Sequence, residues 1–157
     1  MRKRLINPTP GTVRSRTEGW LDVERAATVE ITSEEKEFPV ESAFASGKAQ
    51  GWRAAEAGPQ TIRLVFDRPH ELKRISLVFE ENETTRTQEF VLRWSSDSGN
   101  SFREIVRQQW NFSPPETTRE VEEYQVELSG ITVLELTIVP NISGGTARAS
   151  LKSLRLA

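Results

Sequence analysis

The sequence predicts an all-β chain folded as an antiparallel β-sandwich, a jelly roll of about eight main strands. Three observations carry this. Apolar residues recur at every second position in short runs, most plainly at Phe90, Leu92 and Trp94, and period-2 alternation marks a strand with one buried and one wet face. Clusters of Gly, Pro, Ser, Asn and Asp separate the runs at fairly even intervals, as turns between short strands require. No segment shows a convincing 3.6-residue period, so there are no helices to cover a parallel sheet, and two sheets packed face to face are preferred to a closed barrel.

Taken in order, residues 1–19 read as a flexible leader carrying Arg2, Lys3, Arg4, Arg14 and Arg16, and residues 20–157 as a single sandwich domain. Alternation begins near Leu21, and Val23, Ala27, Val29 and Ile31 place the first strand at 22–32, although Arg25 breaks its apolar row. Ser33 to Glu37 could open a helix, but Pro39 arrives before a second turn closes, so a turn is expected. Residues 40–59 carry no clear element signal. Two strands follow at Ile62, Leu64, Phe66 and at Ile75, Leu77, Phe79, with Asp67-Arg68-Pro69 between them.

Residues 86–112 form a whole hairpin, two strands about a turn at 96–101, running out into a ring-rich loop ahead of Pro114-Pro115. Glu122, Tyr124, Val126 and Leu128 make the next strand, Ser129-Gly130 a turn, and Leu134, Leu136 and Ile138 another strand. In the last piece, Ala147, Ala149 and Leu151 give way to Leu154 and Leu156, a parity change that predicts a bulge or bend. The five acids between Glu116 and Glu127 read as a wet strand face, or as an acidic patch for a protein partner.

Composition narrows the chemistry. With 157 residues the chain is long enough for one core that buries about 70% of the unfolded surface. A net charge of −2 gives no pull toward nucleic acid. The absence of cysteine removes disulfides and thiolate chemistry, and His70, the single histidine, cannot build a multi-histidine metal site. No apolar run approaches a membrane span, and no apolar segment follows Met1-Arg2-Lys3-Arg4 to complete a secretion signal, so a soluble, cytoplasmic chain is expected. There is no G-x-S-x-G, P-loop or G-x-G-x-x-G motif, and a Ser-His-Asp triad would rest on His70 alone, beside Pro69 in a turn. The chain therefore reads as a binding protein and not an enzyme.

A candidate ligand site follows from the rings. Sugars are held by an aromatic ring against their C–H face and by amides and guanidinium groups on their hydroxyls. Gln108, Gln109, Trp110 and Asn111 offer that combination where the hairpin runs into the proline loop, with Phe112 beside them and Arg86 at the hairpin's start. The competing reading is that Trp110 and Phe112 plug the sandwich end. Trp52, after Gly51, is either a further ring at that end or a closure of the core, with Arg53 next to it.

Gly51-Trp52, Gln60-Thr61-Ile62-Arg63-Leu64, Leu92-Arg93-Trp94-Ser95-Ser96-Asp97 and Val133-Leu134-Glu135-Leu136 stand in an order that resembles discoidin domains, the factor 5/8 type C family of galactose-binding-like jelly rolls, over residues 40–157. The resemblance implies a small non-catalytic module that binds a carbohydrate, or a protein, through loops at one end of the sandwich. Two departures bear on the site. Family members that hold calcium carry Asp-Gly where this chain has Ser46-Gly47, which disfavours calcium, and no other cofactor is expected. Fucose-binding relatives pair a histidine with two downstream arginines, whereas Ser95 stands at the matching distance from His70. The expectation is carbohydrate binding at Trp110, Asn111, Phe112, Gln109, Arg86, Trp52 and Arg53. The alternative is an intracellular protein-interaction module that keeps the fold without a sugar site.

Overall fold

In the computed structural model, residues 19–45 and 50–157 are described. The expected leader up to residue 18 and the Ser46-Gly47 departure lie outside them. The elements are a helical turn α1 (Val23–Ala26), β1 (Ala27–Ile31), a second helical turn α2 (Glu41–Phe44), β2 (Trp52–Ala57), β3 (Gln60–Glu80), β4 (Arg86–Ser95), β5 (Arg103–Phe112), β6 (Arg119–Val139), β7 (Arg148–Leu151) and β8 (Ser153–Leu156). One sheet runs β1-β3-β6-β4-β5 with β8 also paired to β3, and β2 and β7 form a separate pair. All of these ladders are antiparallel.

The sheet becomes a sandwich because β3 and β6 turn a corner together. Gln60 to Val65 pair with Val133 to Ile138, while Glu71 to Glu80 pair with Arg119 to Ser129, and the register slips between Val65 and His70 and again between Leu72 and Arg74. Ile62, Leu64 and Phe66 from one half and Leu72, Ile75, Leu77 and Phe79 from the other lie in one buried cluster, so the two halves face each other. The expected interruptions at Asp67-Arg68-Pro69 and Ser129-Gly130 are therefore bends within continuous strands. Pro69, which has no N–H to give, sits where the ladder is broken, and Gly130 adopts φ +72° on the opposing strand. The slip at Leu72 to Arg74 also explains why the inward residues change from even to odd numbers.

Two further expectations are corrected. Residues 23–26 are a helical turn and not strand, which is how Val23 becomes buried despite Arg25 breaking the alternation. Residues 52–57 form β2, which alternation in Trp52-Arg53-Ala54 marks only faintly because alanine is a poor strand former. Gly51 lets β2 approach β7: a Cβ there would lie 2.5 Å from the Leu151 carbonyl oxygen, at φ +85°. Nor is the acidic run wholly wet. Glu120 points inward from β6 and is fully buried, accepting a 3.2 Å hydrogen bond from Gln88 Nε2.

The ends of β3, the starts of β4 and β7, and the loops 81–85 and 140–147 meet at the end of the sandwich opposite the corner. Arg86 ties them together. Its guanidinium donates to Glu81 Oε1 at 2.6 Å, to the Pro140 carbonyl at 2.7 Å and to Gln88 Oε1 at 3.3 Å, and lies 4.9 Å from the centre of the Phe112 ring.

Candidate functional site

A cleft of about 470 Å³ opens at this end, within the ~300–1,000 Å³ usual for small-molecule sites. One wall is the β2–β7 pair, where Trp52 turns inward and Arg53 outward as strand geometry demands, and Ala57 pairs with Arg148. Arg53 Nε and Arg148 Nη1 stand 3.6 and 3.5 Å from the same oxygen, Glu35 Oε2, and both side chains are 48% exposed. That oxygen is buried and, among the described residues, accepts no hydrogen bond. Among the described residues, neither guanidinium donates a hydrogen bond, so their N–H groups are available to the cleft. Glu35 is positioned by its own backbone, whose N–H donates to the Arg53 carbonyl at 2.8 Å.

The facing wall is the 81–85 loop. Glu81 organises it, its Oε2 accepting from the backbone N–H of Glu83 and Thr84 at 3.0 and 3.1 Å while Oε1 takes Arg86. Burial raises the Glu81 pKa, but the hydrogen bonds from Arg86 and the two amides outweigh it and hold the carboxyl below its usual value. The loop thus presents the Asn82 amide and the Thr84 hydroxyl to the cleft, both exposed and neither side chain hydrogen-bonded among the described residues. A narrower recess continues the cleft past Phe38, Gln50 and Lys152, and the Arg53 guanidinium lies 4.4 Å from the Phe38 ring centre.

Of the seven residues expected at the site, the structure places one, Arg53, on the cleft. Trp52 and Phe112 are wholly enclosed in the core, with Trp52 Nε1 donating to the Ser33 carbonyl at 3.0 Å, so neither presents a ring to a ligand. Arg86 is also buried and supports the loop from beneath. The ring-rich stretch is strand β5 up to Phe112 and not a loop, so its side chains alternate between faces. Gln109 donates to Glu89 at 3.0 Å and Asn111 accepts from Thr87 at 2.6 Å on the outer face. Trp110 points the other way and is half-buried against the core. These three do not converge on one ligand. Glu35, Asn82, Thr84 and Arg148 were missed, because a polar loop and a strand of small residues carry no periodic signal.

Asp97, from the family-like Ser95-Ser96-Asp97 stretch, serves its own turn. Hydrogen bonds from the Ser101 and Ser95 hydroxyls and the Ser101 amide hold its pKa down to about 2. Among the described residues no three His, Asp or Glu side chains gather as a metal site, and no helix is long and apolar enough to cross a membrane.

No family model and no curated protein matches the chain by sequence. Solved structures match it in shape. The family 32 carbohydrate-binding module of Clostridium perfringens NanJ, solved with galactose, superposes with a TM-score of 0.65 at 14% identity over 87% of this chain and 96% of that one. This is the discoidin-like fold. CBM32-3 from a family 31 glycoside hydrolase of C. perfringens gives 0.63 at 18% identity over 89% and 95%. The CBM32 of AlyQ, solved with 4,5-unsaturated mannuronic acid, gives 0.60 at 16% over 84% and 95%. The fold implied by the resemblance in Gly51-Trp52 and the later landmarks is thus matched in shape over 84–89% of the chain.

The comparison corrects the cytoplasmic expectation. The CBM32 and discoidin-like modules that this chain matches in shape are characteristically extracellular or secreted parts of carbohydrate-active enzymes, not cytoplasmic proteins. The cytoplasmic reading rested on the lack of an apolar run after Met1-Arg2-Lys3-Arg4, and such a lack carries no address.

Proposed function

We propose that this chain is a non-catalytic carbohydrate-binding module, with residues 20–157 as the binding unit and the cleft between the β2–β7 pair and the 81–85 loop as the sugar site. The observation that carries the reading is the pair of half-exposed guanidiniums, Arg53 and Arg148, ion-paired with Glu35 but donating no hydrogen bond among the described residues, opposite an amide and a hydroxyl. Five N–H groups per guanidinium, an amide that both donates and accepts, and a hydroxyl are what a vicinal diol is read by. The Phe38 ring under Arg53 gives the recess an apolar side. The fold's solved relatives support the class, since one holds galactose and another an unsaturated mannuronic acid.

Glycan-array binding followed by calorimetric titration tests this. Arg148→Ala is expected to lower affinity for the best glycan by about tenfold or more, in line with ~1.5–3 kcal/mol for a hydrogen bond to a charged group, with the melting temperature kept within about 2 °C. A full array with no glycan bound at millimolar concentration contradicts the reading, and stoichiometric capture of a protein not released by free sugar replaces it with the protein-interaction alternative.

A further inference from the structure

Resting on that reading, we infer that the sugar taken at the Arg53–Arg148 wall is acidic, a uronic acid whose carboxylate sits against both guanidiniums. Arg53, Arg148 and Glu35 together carry one net positive charge, because a single carboxylate faces two cations. Its nearer oxygen is buried and the Glu35 side chain is 27% exposed against 48% for each arginine, so the two cations face the cleft more openly than the carboxylate that joins them in lining it. The other carboxylates lining the cleft are largely engaged elsewhere. Glu80 is 2.7 Å from Arg119 and Glu81 2.6 Å from the buried Arg86. Only Glu83 lacks an ion pair among the described residues, and it stands exposed on the opposite loop.

The cleft is therefore polarised, with a cationic wall on β2 and β7 and a hydroxyl-reading or mildly anionic wall on the loop. A neutral hexose matches the second wall and leaves the first without its complement. A uronic acid matches both, its planar carboxylate meeting guanidinium forks and its ring hydroxyls meeting Asn82 and Thr84. Two guanidiniums that already stand about 3.5 Å from one carboxylate oxygen are close enough together to share a second carboxylate on their open side. A tetrahedral sulfate ester is the competing anion, and the assay separates the two.

The test titrates the protein with oligogalacturonate and oligomannuronate, with the methyl ester of each, and with a sulfated galactan. The expected result is binding of at least one uronate about tenfold or more tighter than its methyl ester, weakened by added salt, with the difference lost in Arg53→Gln and Arg148→Gln and partly restored in Arg148→Lys. Melting curves confirm that each variant is folded. If a methyl ester or a neutral sugar binds as tightly as any uronate, or the sulfated galactan binds and the uronates do not, the inference is overturned while the carbohydrate reading stands. If none of these and no neutral glycan binds, both fall.

Discussion

Glu120→Gln is expected to make this protein more stable at neutral pH, although it removes a charge from a chain in which ion pairs abound. Glu120 lies on the inner face of β6, fully buried, with one oxygen on Gln88 and the other, Oε2, without a partner. Burial first, then the neighbouring carboxyl and like charge of Glu122 two residues along the same face, push its pKa up to about 9, against the smaller opposing pull of Gln88 and Arg86. The folded protein therefore holds this carboxyl protonated at pH 7, while the unfolded chain, at about 4.5, does not.

The raised folded value sets the sign. Glu120's contribution is fully present below about pH 4.5 and is lost as the pH climbs toward 9. At ~1.4 kcal/mol per pH unit, the loss between pH 4.5 and 7 is at most roughly 3.5 kcal/mol. Glutamine mimics the protonated acid and removes that loss, which for a domain of this size is on the order of 7–14 °C in melting temperature. Urea unfolding of both proteins at pH 4, 7 and 9 measures it. The two curves should nearly coincide at pH 4 and separate as pH rises, and a pH-independent difference, or a variant weaker at pH 7, would show that Glu120 is not held protonated in the fold.

Three other perturbations test the frame around the site. Glu135, almost wholly buried between Arg63 and Arg93 at 2.6 and 2.5 Å, is raised by burial but lowered more by the two guanidiniums, so its contribution is present above the ordinary glutamate range and fades as acid takes the pH through the lowered value. Glu135→Gln should cost about 1–2 kcal/mol at pH 7, the arginines being partly solvated, as denaturant titration would show. Gly51→Ala meets the backbone of Leu151 and Lys152 at 2.5 and 2.8 Å and a φ of +85°, and a loss of about 2 kcal/mol or more in thermal unfolding is expected. Trp110→Ala should lower the melting temperature through lost packing while leaving glycan affinity within about twofold, since Trp110 packs on the core and does not line the cleft.

The sandwich was legible because burial imposes period 2 on every long strand, and Ile62, Leu64, Phe66, Ile75, Leu77, Phe79, Phe90 and Leu92 are all in the core. Continuity was not legible. Proline and glycine at 69 and 130 signal a change of direction, and the same residues serve a tight turn or a bend in an unbroken ladder. The proposed cleft was legible only at Arg53. Ring-bearing residues drew attention to 108–112, but Phe112 and Trp52 bear their rings for the core, and the strand period of β5 sends Trp110 and Asn111 to opposite faces. What makes the cleft is the pairing of β2 with β7, which brings Arg53 and Arg148 to one carboxylate across 95 residues of chain. No local pattern encodes that meeting. Glu81 and Arg86, five residues apart, shape the loop wall through a buried pair that sequence shows only as two charges.

The most direct test of the central claim is the calorimetric affinity for the best array glycan measured on the wild-type chain, Arg148→Ala and Trp110→Ala side by side. A drop of about tenfold or more in Arg148→Ala with Trp110→Ala near wild type is what a sugar site on the β2–β7 wall predicts. The reverse pattern, with Trp110→Ala abolishing binding and Arg148→Ala neutral, would place the ligand on the β5 edge and contradict the account.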